Sequence, residues 1–202
     1  KHITGAALAA TFVFGTMTAA SAEPPAEFYK GKTVEIYIGF GLGGTYGKSA
    51  LTMGEYLKPL LGADAVIVKS KPGAGGLKMT NYFYNIAPKD GTALILPPDT
   101  LVITELLKPK KAKYKSSGLT WLGSAVRSNS MAAVRADSGI KSWKDLLNKE
   151  VPFASSGLGS QTYQIPALIN GLLGTKIKIV KGYKGSRKML LAMEQGEVAG
   201  IN

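Results

Sequence analysis

Gly41 to Ser49, GLGGTYGKS, is where residue types and spacing come nearest to familiar chemistry. It closes on Gly47, Lys48 and Ser49, like a nucleotide phosphate loop, but that motif then needs glycine where Leu42 stands. The spacing matters because successive backbone N–H groups must converge on one phosphate while the lysine reaches the terminal one. Asp99, the candidate for a magnesium carboxylate, follows a strand pattern only after two prolines. Gly39, Gly41 and Gly44 also match the dinucleotide pattern G-x-G-x-x-G, and Asp64 lies about 20 residues on, where a ribose contact is wanted. Asp64 precedes the next strand pattern, AVIVK, instead of ending it, so this match is weak. A third reading needs only shared physics. A strand that ends in glycines and feeds a helix leaves N–H groups unpaired, and these suit a carboxylate as well as a phosphate. A second loop, ASSGLGSQTY (residues 154–163), has the same design with added hydroxyls at Ser155, Ser156, Ser160 and Thr162, and the two loops are expected to face each other across a cleft.

Composition narrows the chemistry further. There is no cysteine and the only histidine is His2, which removes disulfides, thiolate or imidazole metal sites, and Ser-His or Cys-His catalysis. No paired carboxylates stand out as an acid–base couple, and no metal or cofactor is expected. The formal charge of +12 suits an anionic partner. Aromatic residues are not interleaved with the basic ones and no zinc finger or RNP pattern occurs, so nucleic acid is not expected. Residues 3–20, ITGAALAATFVFGTMTAA, form an apolar run of small residues that ends at Ala20-Ser21-Ala22, an A-x-A cleavage pattern. A secretory leader over residues 1–22 with a shortened basic start is expected, hence export from the cytoplasm.

The elements that would position these loops alternate. Strand patterns cover 33–40, 65–69 and 93–97, and helical patterns cover 48–61, the segment after the KPGAGG turn to about Asn85, and 99–107. Beyond a basic loop, KPKKAKYKSSG (108–118), strand patterns occur at 119–126, 130–136, 151–155 and 176–180, with one beginning at 197–202. Helical patterns follow Ser142 with Asp145, the second glycine loop (with Pro166 in or near its first turns), and Gly185. This is an α/β chain with largely parallel pairing, divided at the basic loop into lobe one (23–118) and lobe two (119–202).

The order FYKGKTVEIYIGFGLGG, KPGAGGL, NYFYNIAPKDGT, WLGS, ASSGLGSQT and VKGYKGSRKMLLAMEQGEVAG resembles the periplasmic solute receptors of tripartite tricarboxylate transporters, also called Bug receptors. The resemblance runs from Phe28 to Asn202. It implies a two-lobed, Venus-flytrap protein of the type II periplasmic binding class. Such a protein captures a small carboxylic acid for membrane permease subunits, acts as a monomer and performs no reaction. It further implies ligand contacts from Gly41, Leu42, Gly43, Gly44, Thr45 and Tyr46 of the first loop, and from Gly157, Gly159, Ser160 and Thr162 of the second. Asp99, Thr100, Arg127, Ser128, Asn129 and Tyr183 complete the implied set. Many relatives carry aspartate near the end of the first loop, where this chain has Gly47 beside Lys48; lacking a partner for an ammonium group, it is not expected to take an amino acid. Relatives return to lobe one after lobe two, so a chain ending at Asn202 is expected to lack that return. A carboxylate sensor or scavenger on the same fold, or a secreted nucleotide-dependent enzyme, are the alternatives.

Overall fold

The computed structural model describes residues 25–124 and 129–202. The expected leader, Arg127 and Ser128 lie outside them. After a short helix α1 (Pro25–Tyr29), the first half runs β1 (Thr33–Ile38), α2 (Thr45–Leu61), β2 (Ala65–Ser70), α3 (Leu77–Asn85), β3 (Ala93–Leu96) and α4 (Leu101–Leu107). The second half runs β4 (Ala133–Val134), β5 (Val151–Ser155), α5 (Gln161–Leu173), β6 (Ile177–Lys181), α6 (Ser186–Glu194) and β7 (Gly200–Ile201). Short 3-10 turns punctuate both halves, one of them at Ala74–Gly76.

Each half builds its own sheet. The first has the order β2-β1-β3 and is wholly parallel, with Ile36 opposite Val68 on one side and Leu94 on the other. A central parallel strand is covered on both faces, and β1 buries Val34, Ile36, Tyr37 and Ile38. Side chains alternate along a strand. Ile36 and Ile38 therefore pack with Ala50, Met53 and Leu57 of α2, and Tyr37 packs with Met79 and Phe83 of α3. The second sheet has the order β4-β7-β5-β6, antiparallel only at β4. Phe153 of β5 joins Leu146, Ile169 and Ile177 on one face, while Ala154 joins Met189, Ala192 and Val198 on the other. In both halves a glycine loop follows the central strand and leads into a helix.

The expected α/β alternation is present, with two departures. Residues 119–124 form no strand, and the pattern at 130–136 yields only Ala133–Val134. Of the apolar side chains that suggested a strand at 119–124, Leu119 packs on the clusters around Tyr37 and Tyr114, while the others stay outside the core. Trp121 and Leu122 are 56% and 80% exposed, and the Trp121 indole donates to the Ser116 carbonyl at 3.1 Å. Among the described residues no helix is long and apolar enough to cross a membrane.

The Ser142–Asp145 signal is a complete capping box on the 3-10 turn Trp143–Leu147. Lys144 N–H donates to Ser142 Oγ at 3.1 Å and Ser142 N–H donates to Asp145 Oδ2 at 2.8 Å. Ser142→Ala is expected to cost about 1 kcal/mol, lowering Tm by about 2–4 °C for a chain of this size, as read by thermal denaturation.

Candidate functional site

The two halves touch through their loops, and backbone atoms make most of the seam. The first glycine loop meets the turn between β6 and α6. Gly41 N–H donates to the Lys184 carbonyl at 2.7 Å, and Thr45 N–H, at the first turn of α2, donates to Ser186 Oγ at 3.1 Å. The N-terminal residue of α2 thus finds its acceptor on the other half, since Gly44 offers no side-chain cap. Gly44 N–H donates to the Gly41 carbonyl. The amides of Leu42 and Gly43 have no acceptor among the described residues.

A cavity of about 380 Å³ opens at this contact, within the usual size of small-molecule sites. Gly41, Gly43 and Gly44 form one wall; Lys184, Gly185, Arg187, Lys188 and Leu191 form the other. The Arg187 stem lies on the loop itself, for a Cβ at Gly43 would stand 3.0 Å from Arg187 Cδ. None of the ion pairs among the described residues uses Lys184, Arg187 or Lys188. Three cations and an open amide therefore border a space that holds no acidic side chain, at the N-terminal end of α6.

The second glycine loop is placed differently from its expected position opposite the first. It packs on the KPGAGG turn. Gly75 N–H donates to the Ser156 carbonyl at 3.1 Å, Gly159 N–H donates to the Ala74 carbonyl at 3.0 Å, and Thr100 Oγ1 donates to the Gly159 carbonyl at 2.6 Å. Its hydroxyls serve one another: Ser160 Oγ donates to the Gly157 carbonyl at 2.7 Å and lies 2.8 Å from Thr162 Oγ1, which accepts from Ser156 N–H at 3.2 Å. Gly157, Gly159, Ser160 and Thr162 thus hold the seam together and line neither cavity. Beside them a smaller space of about 200 Å³ is bordered by Gly39, Phe40, residues 72–75, Ser156, Gly182, Tyr183 and Lys184.

The remaining expected positions divide. Tyr46 turns inward: its ring stacks on Phe40 at 4.3 Å between centroids, and its hydroxyl accepts from Asp99 N–H at 3.1 Å. Thr45 contacts Ser186 and Leu42 is 45% exposed. Thr100 is buried, Asn129 is exposed, and Tyr183 donates to Glu197 Oε1 at 2.6 Å. Gly47 is constrained by space, because a Cβ there would stand 2.0 Å from the Leu42 carbonyl oxygen. No aspartate could occupy this position while the loop keeps its path. Lys48 is exposed and lines neither cavity. Lys184, Ser186, Arg187 and Lys188 escaped residue-level reading, although three cations within five residues at a helix start, GYKGSRK, were a visible signal.

Burial, and secondarily the Asp99 charge, push the Tyr46 hydroxyl up to about 12; burial and then the hydrogen bond to Glu197 do the same for Tyr183. A folded value above the unfolded 10 stabilises the fold fully below pH 10, and this contribution is lost as pH rises through about 12. Thermal stability is expected to hold up to pH 10 and to fall between 10 and 12, together with late tyrosinate absorbance. Tyrosinate appearing fully near pH 10 in the folded chain would contradict the inward placement of Tyr46.

No protein-family model matches the chain, and no curated sequence does. Solved structures do resemble it. A periplasmic transporter is 22% identical with a TM-score of 0.70, covering 85% of this chain and 59% of its own. The periplasmic binding protein BugD is 19% identical with a TM-score of 0.66, covering 84% of this chain and 57% of its own. MatC from Rhodopseudomonas palustris, solved with bound malate, is 22% identical with a TM-score of 0.65, covering 84% and 59%. The chain spans somewhat under three fifths of each. Over that span it has the fold of a periplasmic binding protein.

Proposed function

We propose that this chain is the capturing part of a periplasmic solute receptor, which takes a small carboxylic acid and passes it to the membrane permease of a tripartite tricarboxylate-type transporter. The observation that carries the reading is the cavity between the two halves, with a glycine loop on one side and Lys184, Arg187 and Lys188 on the other. A carboxylate there would accept from Gly43 N–H and from the cations. Charge-assisted bonds of this kind are worth about 1.5–3 kcal/mol each. The fold shared with a malate-bound protein supports the ligand class, and the apolar run ending at Ala22 supports export. In this reading the role is binding: the cavity walls bring together cations and backbone amides suited to holding an anion. The division into lobes at residues 23–118 and 119–202 belongs to the same proposal, as does action as a monomer.

Calorimetry of the chain with malate, succinate, citrate, glutamate, ATP and NAD tests it. Binding of a di- or tricarboxylate ahead of glutamate is expected. Failure of every acid to bind, or tighter binding of ATP or NAD, overturns it.

A further inference from the structure

From residue 106 to residue 136 the chain carries no acidic side chain, and Lys108, Lys110, Lys111, Lys113 and Lys115 crowd its start. Their loop is not a loose one. Asn81 Nδ2 donates to the Lys111 carbonyl at 3.0 Å, Lys113 N–H donates to Asn81 Oδ1 at 2.8 Å, and Asn85 Nδ2 donates to the Lys113 carbonyl at 2.7 Å. Tyr114 is buried and donates to the Leu101 carbonyl at 2.8 Å. Two asparagines of α3 and an inward tyrosine thus fix the backbone while all five lysines remain exposed. Among the described residues only Lys115 of the five forms an ion pair, with Glu105 at 3.9 Å.

The helix that feeds this loop is inverted. α4 buries Leu101 and Thr104, and its outer face consists of Val102, Ile103, Leu106 and Leu107, the last two 74% and 64% exposed. A surface helix ordinarily turns polar residues outward. Glu105 ties this helix to the end of the lysine loop by accepting from Ser116 N–H at 2.8 Å, and the Trp121 indole closes on the Ser116 carbonyl, with exposed Leu122 next to it. Apolar anchors and lysines therefore share one corner of the first half.

We infer that this corner docks on an anionic lipid bilayer, with Leu106, Leu107, Trp121 and Leu122 entering the headgroup region and the five lysines meeting lipid phosphates. Charge complementarity names the occupant. Lysines on long stems keep their charge in water while their stems cover apolar surface, and tryptophan favours the membrane interface. An acidic protein partner would be served better by the bidentate fork of arginine, and the fixed loop carries none. The two cavities described above lie elsewhere. The inference is independent of the ligand, since none of these residues lines the carboxylate cavity.

The test uses the full chain with Trp143→Phe, which leaves Trp121 as the single tryptophan reporter. Residues 3–20 can bind lipid by themselves, so the readout is local. Trp121 fluorescence is followed with vesicles of phosphatidylcholine containing phosphatidylglycerol, with and without brominated acyl chains, and with phosphatidylcholine alone. Quenching and a blue shift are expected on the anionic vesicles only. Replacing Lys110, Lys111 and Lys113 by glutamate should weaken the response by at least about fivefold per lysine. Replacing Lys144, Lys176 and Lys181, which lie on the second half, should leave it within about twofold, a change small beside the roughly fivefold worth of one docked lysine. Leu106→Ser should reduce the quenching. No quenching, equal quenching on neutral vesicles, or equal loss with both lysine triples overturns the inference. So does binding of polyglutamate without binding of vesicles, which would point to an acidic protein partner.

Discussion

Arg187→Ala is expected to weaken binding of a small dicarboxylate by about tenfold or more, with little change in Tm. The low end of the charge-assisted range, about 1.5 kcal/mol, sets this figure, because Arg187 is open to solvent on one side and screening reduces what an exposed charge contributes. Its stem rests on Gly43, so the guanidinium is held near the loop whose Gly43 amide has no acceptor among the described residues. Arg187→Lys should recover part of the affinity but not the planar, two-pronged contact. Calorimetry at low and high salt reads both effects, and the parent chain should lose more affinity with salt than Arg187→Ala does. Unchanged affinity in Arg187→Ala would remove the cationic wall from the account.

Gly75→Ala is expected to open the seam between the halves. Gly75 has a left-handed φ of 70°, and a Cβ there would stand 2.5 Å from Ser160 N and 2.7 Å from the Gly157 carbonyl oxygen. Both obstacles are backbone, so neither can swing aside. The bonds from Gly75 to Ser156 and from Gly159 to Ala74 would break as the loops part. Strain and lost contacts together should cost about 1–3 kcal/mol, or a fall in Tm of about 2–12 °C. Small-angle scattering should report a larger radius of gyration, and dicarboxylate binding should weaken because the cavity lies along the same seam. Ala74→Gly is the matched control. Ala74 is itself left-handed, with φ of 51°, and glycine takes that conformation without strain. Its Tm and radius should stay near those of the parent.

Local pattern was enough for most of the elements. The strands at 33–38, 65–70 and 93–96 and the helices after them match apolar periodicity punctuated by Gly, Pro and Asp-Gly. What local pattern missed is set by contacts between distant segments. α2 starts at Thr45, three residues ahead of the expected Lys48, because its first amide is capped by Ser186 across the seam. Residues 119–124 looked like a strand by composition, yet Trp121 and Leu122 stay outside the core. The glycine loops were recognisable as turns, but not their partners: the first meets the Lys184–Ser186 turn and the second meets the KPGAGG turn. The cationic wall was hidden for a similar reason, since Arg187 and Lys188 on a helix read as a solvated face until Gly43 is brought beside them.

The central claim is that a carboxylate sits between the first glycine loop and the start of α6. A crystal structure of the chain grown with malate tests it most directly. The account predicts a malate carboxylate accepting from Gly43 N–H and lying within hydrogen-bond reach of Arg187, with Lys184 or Lys188 on the second carboxylate. Malate bound elsewhere, or a saturated crystal with this cavity empty, would contradict it.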